Sequence, residues 1–225
     1  MAKLKNPKAM IGLHAHTLFS DGALLPSEIV RRAEAKGYKA FALTDHVDSS
    51  NIDFVLPRIV KVCKALNKFW AIRAIPGVEI THAPVQEIKS LVKFARKNGA
   101  RIVVVHGETV SEPVLKGTNR AGIEAGCDIL AHPGTISMED ARLAKARGVA
   151  LELTTRKSHS VTNKRVFKMA KSVGAKLVLN TDAHDECDVV TYDQAVRTLK
   201  VIGLNIADIE EVFKNSRELA RKADR

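Results

Sequence analysis

The sequence predicts an α/β protein whose parallel strands close into a barrel. Three observations predict it. Seven short apolar runs alternate with helical patterns along the chain, the signature of βα units and a parallel sheet. One run, Arg101–Val105, is a continuous Val/Ile stretch, as suits a strand buried on both faces. Histidines or carboxylates stand at the C-terminal ends of six of the seven runs. A closed barrel brings those ends together on one face, whereas an open sheet would spread them along an edge.

The elements follow in order. Met10–Leu13 is the first strand. Ser27–Lys36 is a helix, with Pro26 near its start and Gly37 just past its end. Lys39–Thr44 is the second strand. In Phe54–Asn67 the residues Val55, Ile59, Val62 and Leu66 fall on one helical face. Ala71–Ile80 is the third strand, with a break expected at Pro76-Gly77. Pro84–Asn98 is a helix with Val85, Ile88, Val92 and Ala95 inward and Gly99 as its stop.

Arg101–Val105 is the fourth strand, and Thr118–Ala125 is a short helix closed by Gly126. Asp128–Ala131 is the fifth strand. Ser137–Ala146 opens on Ser137-x-x-Asp140, which resembles a capping box, and stops at Gly148. Val149–Leu153 is the sixth strand, Thr162–Val173 a helix stopped by Gly174, and Lys176–Asn180 the seventh strand. Two helices, Tyr192–Val201 and Ala207–Lys222, end the chain. No linker, low-complexity tract or internal repeat divides it, so residues 1–225 read as one domain.

Composition narrows the class. A chain of 225 residues can bury a core without disulfides, and 45% apolar content is ordinary for a globular protein. No apolar run approaches the ~20 residues of a membrane span. MAKLKNPKAM lacks the apolar core of a signal peptide. Cys63, Cys127 and Cys187 are odd in number and lack CxxC spacing, which fits a reducing compartment. The expected location is cytoplasmic. The net charge of +11 is spread over the helices, and is densest in the first eight residues and in Lys214–Arg225. That distribution favours a solvated basic surface over a nucleic-acid or membrane interface.

The functional signal begins at His14 and His16. Residues i and i+2 on an extended segment point to the same side, and imidazole is the commonest metal-binding side chain. His46, Glu79, His106 and His132, then Asp182 with His184, each end or follow a strand-like run. A mixed imidazole and carboxylate set suits manganese, zinc or iron better than magnesium or calcium.

The motifs HAHTLFSDG, LTDH at Leu43–His46, GVE at Gly77–Glu79, AHPG at Ala131–Gly134 and TDAH at Thr181–His184 resemble those of the PHP (polymerase and histidinol phosphatase) family. The resemblance runs from His14 to about Gly203. It implies a distorted (β/α)7, TIM-like barrel that holds two to three divalent ions and hydrolyses phosphate esters. On this resemblance His14 and His16 bind one metal with Glu79 and Asp182. Glu79 bridges to a second held by His106 and His132. A third is held by Asp21, His46 and His184. Some relatives carry a histidine where this chain has Asp21. Glu79, Asp182 and His184 are the expected catalytic members, and Asp45 is expected to support a ligand from behind. Two metals ~3.5–4 Å apart can share a hydroxide that attacks the phosphorus. Three divalent ions set against Asp21, Glu79 and Asp182 leave excess positive charge, which suits an anionic substrate.

The sixth strand carries no expected ligand but runs into Arg156, Lys157 and His159. These are candidates for phosphate or leaving-group contacts. His82 and Arg120 are weaker candidates, for the rim and for the phosphate respectively, against the simpler readings of an exposed loop histidine and a surface arginine. The expected activity is hydrolysis of a small phosphomonoester such as histidinol phosphate, a nucleotide or another sugar-like phosphate. The alternatives are a nuclease or phosphodiesterase on the same cluster, and a non-catalytic RNA-binding barrel resembling a ribonuclease P protein subunit.

Overall fold

The computed structural model describes residues 9–224. The basic first eight residues and Arg225 lie outside the described residues. The fold is the predicted one, a near-closed parallel seven-stranded barrel interleaved with helices. The strands are β1 (Met10–Gly12), β2 (Tyr38–Leu43), β3 (His46–Val47), β4 (Arg73–Ile80), β5 (Ile102–His106), β6 (Ile129–Ala131), β7 (Ala150–Thr154) and β8 (Leu177–Asn180). The barrel order is β1-β2-β4-β5-β6-β7-β8, and each pairing is parallel.

The short β3 resumes the direction of β2 after Thr44 and Asp45, pairing His46 with Glu79 and Val47 with Ile80 on β4. At the seam between β8 and β1, an isolated bridge joins Ala15 to Ala183. There His16 N donates to the Ala183 carbonyl at 2.8 Å. Asn180 Oδ1 accepts from Leu13 N at 2.9 Å, so a side chain completes the closure.

The expected break at Pro76-Gly77 does not occur; β4 runs through it. The reason is where the ladder on the second edge begins. Residues 73–76 pair with β2, and residues 77–80 pair with β5. The Pro76 carbonyl accepts from Arg101 N at 2.7 Å, just before the β5 ladder opens. The N–H that proline lacks therefore costs no rung of that ladder.

Helices α1 (Pro26–Ala35), α2 (Ile52–Phe69), α3 (Ile88–Lys97), α4 (Thr118–Ala125), α5 (Met138–Arg147), α6 (Asn163–Val173), α7 (Tyr192–Ile202) and α8 (Ile206–Lys222) complete the chain. Helix α3 starts later than its sequence pattern suggests. Glu87 N donates to the Pro84 carbonyl at 2.8 Å, a tight turn that precedes the α-helical register. Helices α7 and α8 open on full capping boxes, Thr191 with Gln194 and Asn205 with Asp208. Each box satisfies two backbone donors that a helix start leaves free.

Two apolar clusters form the core. The larger lies between strands and helices and includes Ile29, Phe41, Leu56, Ile59, Val103 and Leu151. The smaller fills the barrel with Leu13, Ala40, Ala42, Ile75, Ile102, Val104, Ile129 and Val178, together with Leu219 and Ala220 of α8. Asn215 Nδ2 donates to the carbonyl of Leu177, the first residue of β8. Arg73, the first residue of β4, donates to the Ala220 carbonyl. Helix α8 thus stoppers the barrel at the N-terminal ends of its strands. The opposite end carries the site. Among the described residues no helix is long and apolar enough to cross a membrane.

Candidate metal centre

The loop after β1 sets the first histidines. Asp45, buried between β2 and β3, accepts from Thr17 N at 2.7 Å, Thr17 Oγ1 at 2.9 Å and Ser20 Oγ at 2.9 Å. This pins the turn that presents Asp21. Asp45 therefore supports the ligand loop through Thr17 and Ser20. Gly22 closes the turn because a Cβ there would stand 2.6 Å from the His16 carbonyl. At the far side of the site, Gly134 has φ +59, and a Cβ would overlap the Glu108 carbonyl at 1.8 Å.

The strand ends converge. His14 Nε2 lies 3.1 Å from His16 Nε2, 3.3 Å from Glu79 Oε1 and 3.6 Å from Asp182 Oδ1. His16 Nε2 lies 3.0 Å from Asp182 Oδ1. His132 Nε2 stands 3.8 Å from both Glu79 Oε1 and Asp182 Oδ2, and its ring lies 4.5 Å from that of His106. On the outer side, Asp21 lies 3.1 Å from His184 Nε2, 3.5 Å from His46 Nε2 and 3.9 Å from His16 Nδ1. Among the described residues five groups of donor atoms are compact enough for a metal ion. They are His14 with His16 and Asp182, His14 with Glu79 and His132, His106 with His132 and His159, His16 with Asp21, His46 and His184, and, at the rim, His82 with His106 and Glu112.

Burial and charge pull against each other throughout the centre. Burial alone would depress His14, but the carboxylates of Glu152, Glu79 and Asp182 overcome it and hold the ring well above its ordinary pKa. Burial and the neighbouring His46 press His16 down to about 3. His46 is raised to about 10, because Glu79 and Asp21 outweigh its burial. Burial would push Glu79 and Asp182 up; His14 and the other rings instead hold both carboxyls well below their usual range. Burial followed by His106 lowers His132. Ionised carboxylates beside the neutral rings of His16 and His132 are the donor chemistry of a transition-metal site, and His14 and His46 would give up protons to an incoming cation.

The residues fit such ions on a further count. Both oxygens of Glu79 and the Nδ1 atoms of His16, His106 and His132 are buried without a hydrogen-bond partner. Buried polar atoms left unpaired cost about 1–3 kcal/mol each, and a cation beside Glu79 would remove that cost at its two oxygens. His132 and Asp182 also hold positive φ angles, +25 and +49. Non-glycine residues in that region store about 1–3 kcal/mol each, and such strain collects at functional sites.

One residue that the sequence reading passed over belongs here. Glu152 of β7 is fully buried. Its Oε1 lies 2.9 Å from His14 Nδ1 and accepts from Asn180 Nδ2 at 2.8 Å, while Oε2 accepts from His132 N at 3.2 Å. The signal was a lone acid inside the apolar run Val149–Leu153, where a buried charge requires partners. Glu112 was also missed, because nothing distinguishes it in a loop sequence. Its Oε2 stands 3.2 Å from both His82 Nε2 and His106 Nε2. The bond to His106 holds its carboxyl down at about 2.

The remaining candidates divide. Arg156 is half-buried beside the centre, with Nε 3.7 Å from Asp182 Oδ2 and Nη1 3.5 Å from Asp188. Lys157 is exposed on the same loop. His159 is buried against His132. His82 is exposed at the rim. Arg120 pairs with Glu139 and Asp140, tying α4 to α5 and taking no part in the centre. Cys187 is exposed; Cys63 is buried, and burial pushes its thiol up to about 12.

A parallel barrel whose strand ends carry clustered His, Asp and Glu defines a candidate metal-binding protein. The chain belongs to the PHP domain family, whose model matches residues 12–147. An uncharacterized protein of Methanocaldococcus jannaschii is 42% identical over 202 residues, covering 89% of this chain and 93% of that protein. A protein of Shewanella frigidimarina named as a probable phosphatase is 28% identical, with 88% and 87% covered. Among solved structures, an archaeal ribonuclease P with mature tRNA matches with TM-score 0.71 and 18% identity over 96% of this chain and 91% of that one. Histidinol phosphate phosphatase from Lactococcus lactis, complexed with zinc, L-histidinol and phosphate, matches with TM-score 0.60 and 17% identity over 87% and 94%. At those identities the structures establish the fold. Family membership and the clustered ligands together support a metal-dependent phosphoesterase.

Proposed function

We propose that the protein is a phosphomonoesterase that acts on a small phosphate ester with two to three manganese, zinc or iron ions. The observation that carries this reading is Glu79. Its two oxygens have no hydrogen-bond partner, yet they stand 2.8 Å from His46, 3.3 Å from His14 and 3.8 Å from His132. A carboxylate shared in this way is what a site for adjacent cations needs. Bound ions would supply Lewis acidity and lower the pKa of water toward ~7.

The chain's own residues divide the remaining work. His14, His16 and Asp182 hold the first position, and Glu79 links it to the second, with His106 and His132. Asp21, His46 and His184 hold the third. Arg156 binds the phosphate from the β7 side, where a guanidinium can make two parallel hydrogen bonds to it. Lys157 adds charge at the rim.

A small ester is favoured over a nucleic acid by the rim itself. Among the described residues the cleft beside β3 and β4 is lined by Asp21, Asp48 and Glu112 and by no lysine or arginine, and the rim's cations, Arg156 and Lys157, stand together on the β7 side. A nucleic-acid backbone would need a cationic track there. An RNA-binding role is a second reading, supported by the net charge of +11 and the likeness to archaeal ribonuclease P. A panel on metal-defined protein tests both. Histidinol phosphate, nucleoside monophosphates or another small monoester should be turned over. Preferential cleavage of short oligonucleotides would replace the proposal with a diesterase. Tight, salt-sensitive RNA binding without turnover would replace it with the RNA-binding reading.

A further inference from the structure

Sequence position makes His159 a neighbour of the substrate. We propose instead that His159 is a metal ligand, the third histidine of the second position, oriented by Thr109. The assignment rests on the metal centre and not on the identity of the ester.

Exposure separates the two roles. His159 is 4% exposed, as enclosed as His106 and His132 at 2% each. By contrast, Lys157, two residues earlier on the loop, is exposed. The chain turns back after Lys157, with His159 N and Ser160 N both donating to the Arg156 carbonyl. That turn drives the His159 ring inward onto His132. The two rings stack at 4.2 Å with 20° between their planes, and the His106 ring stands edge-on at 6.0 Å. One donor atom from each of the three rings lies within 4.8 Å of the others.

The two nitrogens of His159 are used differently. Nδ1 is 2.8 Å from Thr109 Oγ1, a bond that fixes the ring. Nε2 has carboxylates on two sides, Glu112 Oε1 at 3.4 Å and Asp182 Oδ2 at 3.9 Å. Both exceed the 2.7–3.2 Å of a good N–H···O bond. A purely structural histidine would place a hydrogen bond on each nitrogen. This ring instead has one nitrogen anchored and the other directed among anions and imidazoles. Metal-binding histidines are held in this way, with the second nitrogen tied to a polar partner.

The consequence is a second position richer in nitrogen than the first. With His159 added, it draws on Glu79, His106, His132 and His159. Three imidazoles and a carboxylate favour zinc or iron over magnesium and calcium. The sixth barrel strand, β7, then serves the centre twice, through Glu152 behind His14 and through His159 in front of His132.

The test is metal binding by the intact chain, measured without any ester. Wild type, His159→Gln, His159→Ala and Thr109→Val are stripped of metal and titrated with zinc against a chromophoric chelator, then reconstituted with cobalt(II). Loss of His159 should weaken one zinc equivalent at least tenfold and change the visible cobalt spectrum. Thr109→Val, which frees Nδ1 but keeps the ring, should weaken that same equivalent by a smaller factor. Thermal unfolding of the metal-free forms separates a folding defect from a lost ligand. Should His159→Ala fail to fold, His159→Gln and Thr109→Val carry the test. Wild-type zinc affinity and cobalt spectrum in every folded variant would overturn the assignment.

Discussion

Glu152 Oε1 lies 2.9 Å from His14 Nδ1, behind a ring whose Nε2 faces His16, Glu79 and Asp182. The carboxylate takes one nitrogen and leaves the other for the centre. Losing such a partner typically lowers metal affinity 10–100-fold. Glu152→Gln should therefore bind zinc in the first position about ten- to a hundredfold more weakly, read by chelator competition. Unchanged affinity would reduce Glu152 to a packing residue.

Glu79 faces four histidines, His14, His16, His46 and His132, so its replacement should reach more than one ion. Glu79→Gln is expected to lower metal stoichiometry by more than one equivalent and to remove most of the turnover. Elemental analysis of gently purified protein, beside a rate measurement, checks both. Full metal content with wild-type activity would sink the bridging role.

Arg156 stands beside Asp182 without belonging to any of the compact donor groups. Arg156→Ala should lower kcat/KM about ten- to a hundredfold, the worth of a charge-assisted contact of roughly 1.5–3 kcal/mol. Arg156→Lys should recover only part, since the planar fork is lost. Metal content should stay constant in both. Loss of metal would mean that Arg156 acts by holding Asp182.

Tyr38 supplies a pH dependence away from the centre. It is buried, donates to the Val190 carbonyl at 3.0 Å, and burial raises its pKa. The unfolded phenol ionises near ~10. The stability Tyr38 contributes is thus fully present below about pH 10 and is lost as pH rises toward the folded value. Tyr38→Phe should be less stable by about 0.5–1.5 kcal/mol at neutral pH. Above about pH 10 wild type should lose stability faster, by up to about 1.4 kcal/mol per pH unit. Denaturant unfolding at neutral and alkaline pH checks the sign. A constant difference between the two proteins would exclude ionisation of Tyr38.

Most of the barrel was legible because apolar runs and helix stops are local signals. Thr118–Ala125 is an α-helix with its predicted ends, fixed by Gly117 and Gly126 at left-handed φ. The continuity of β4 was not legible, since only the start of the β5 ladder at Gly77, after Pro76, makes the proline harmless. The strand-end residues could be read as candidate ligands because each ends or follows an apolar run. Their grouping could not, because it depends on how far each loop turns inward. His159 shows this. Its sequence context is a basic loop, and the turn onto the Arg156 carbonyl buries it. Glu112 carries no sequence signal at all; tertiary folding alone brings it to His106.

His16 faces two donor groups, with Nε2 toward His14 and Asp182 and Nδ1 toward Asp21. A neutral imidazole has one lone pair to give and one proton to keep. Once Nε2 is committed inward, Nδ1 carries the proton and turns a donor, not a ligand, toward the outer group. An outer ion would then rest on Asp21, His46 and His184 alone, and Asp21 is more than half exposed. Exchange kinetics should follow from that asymmetry: the outer ion leaves first on dialysis and is the first to be replaced by whatever metal the surroundings supply, while the inner pair keeps the identity with which it was loaded.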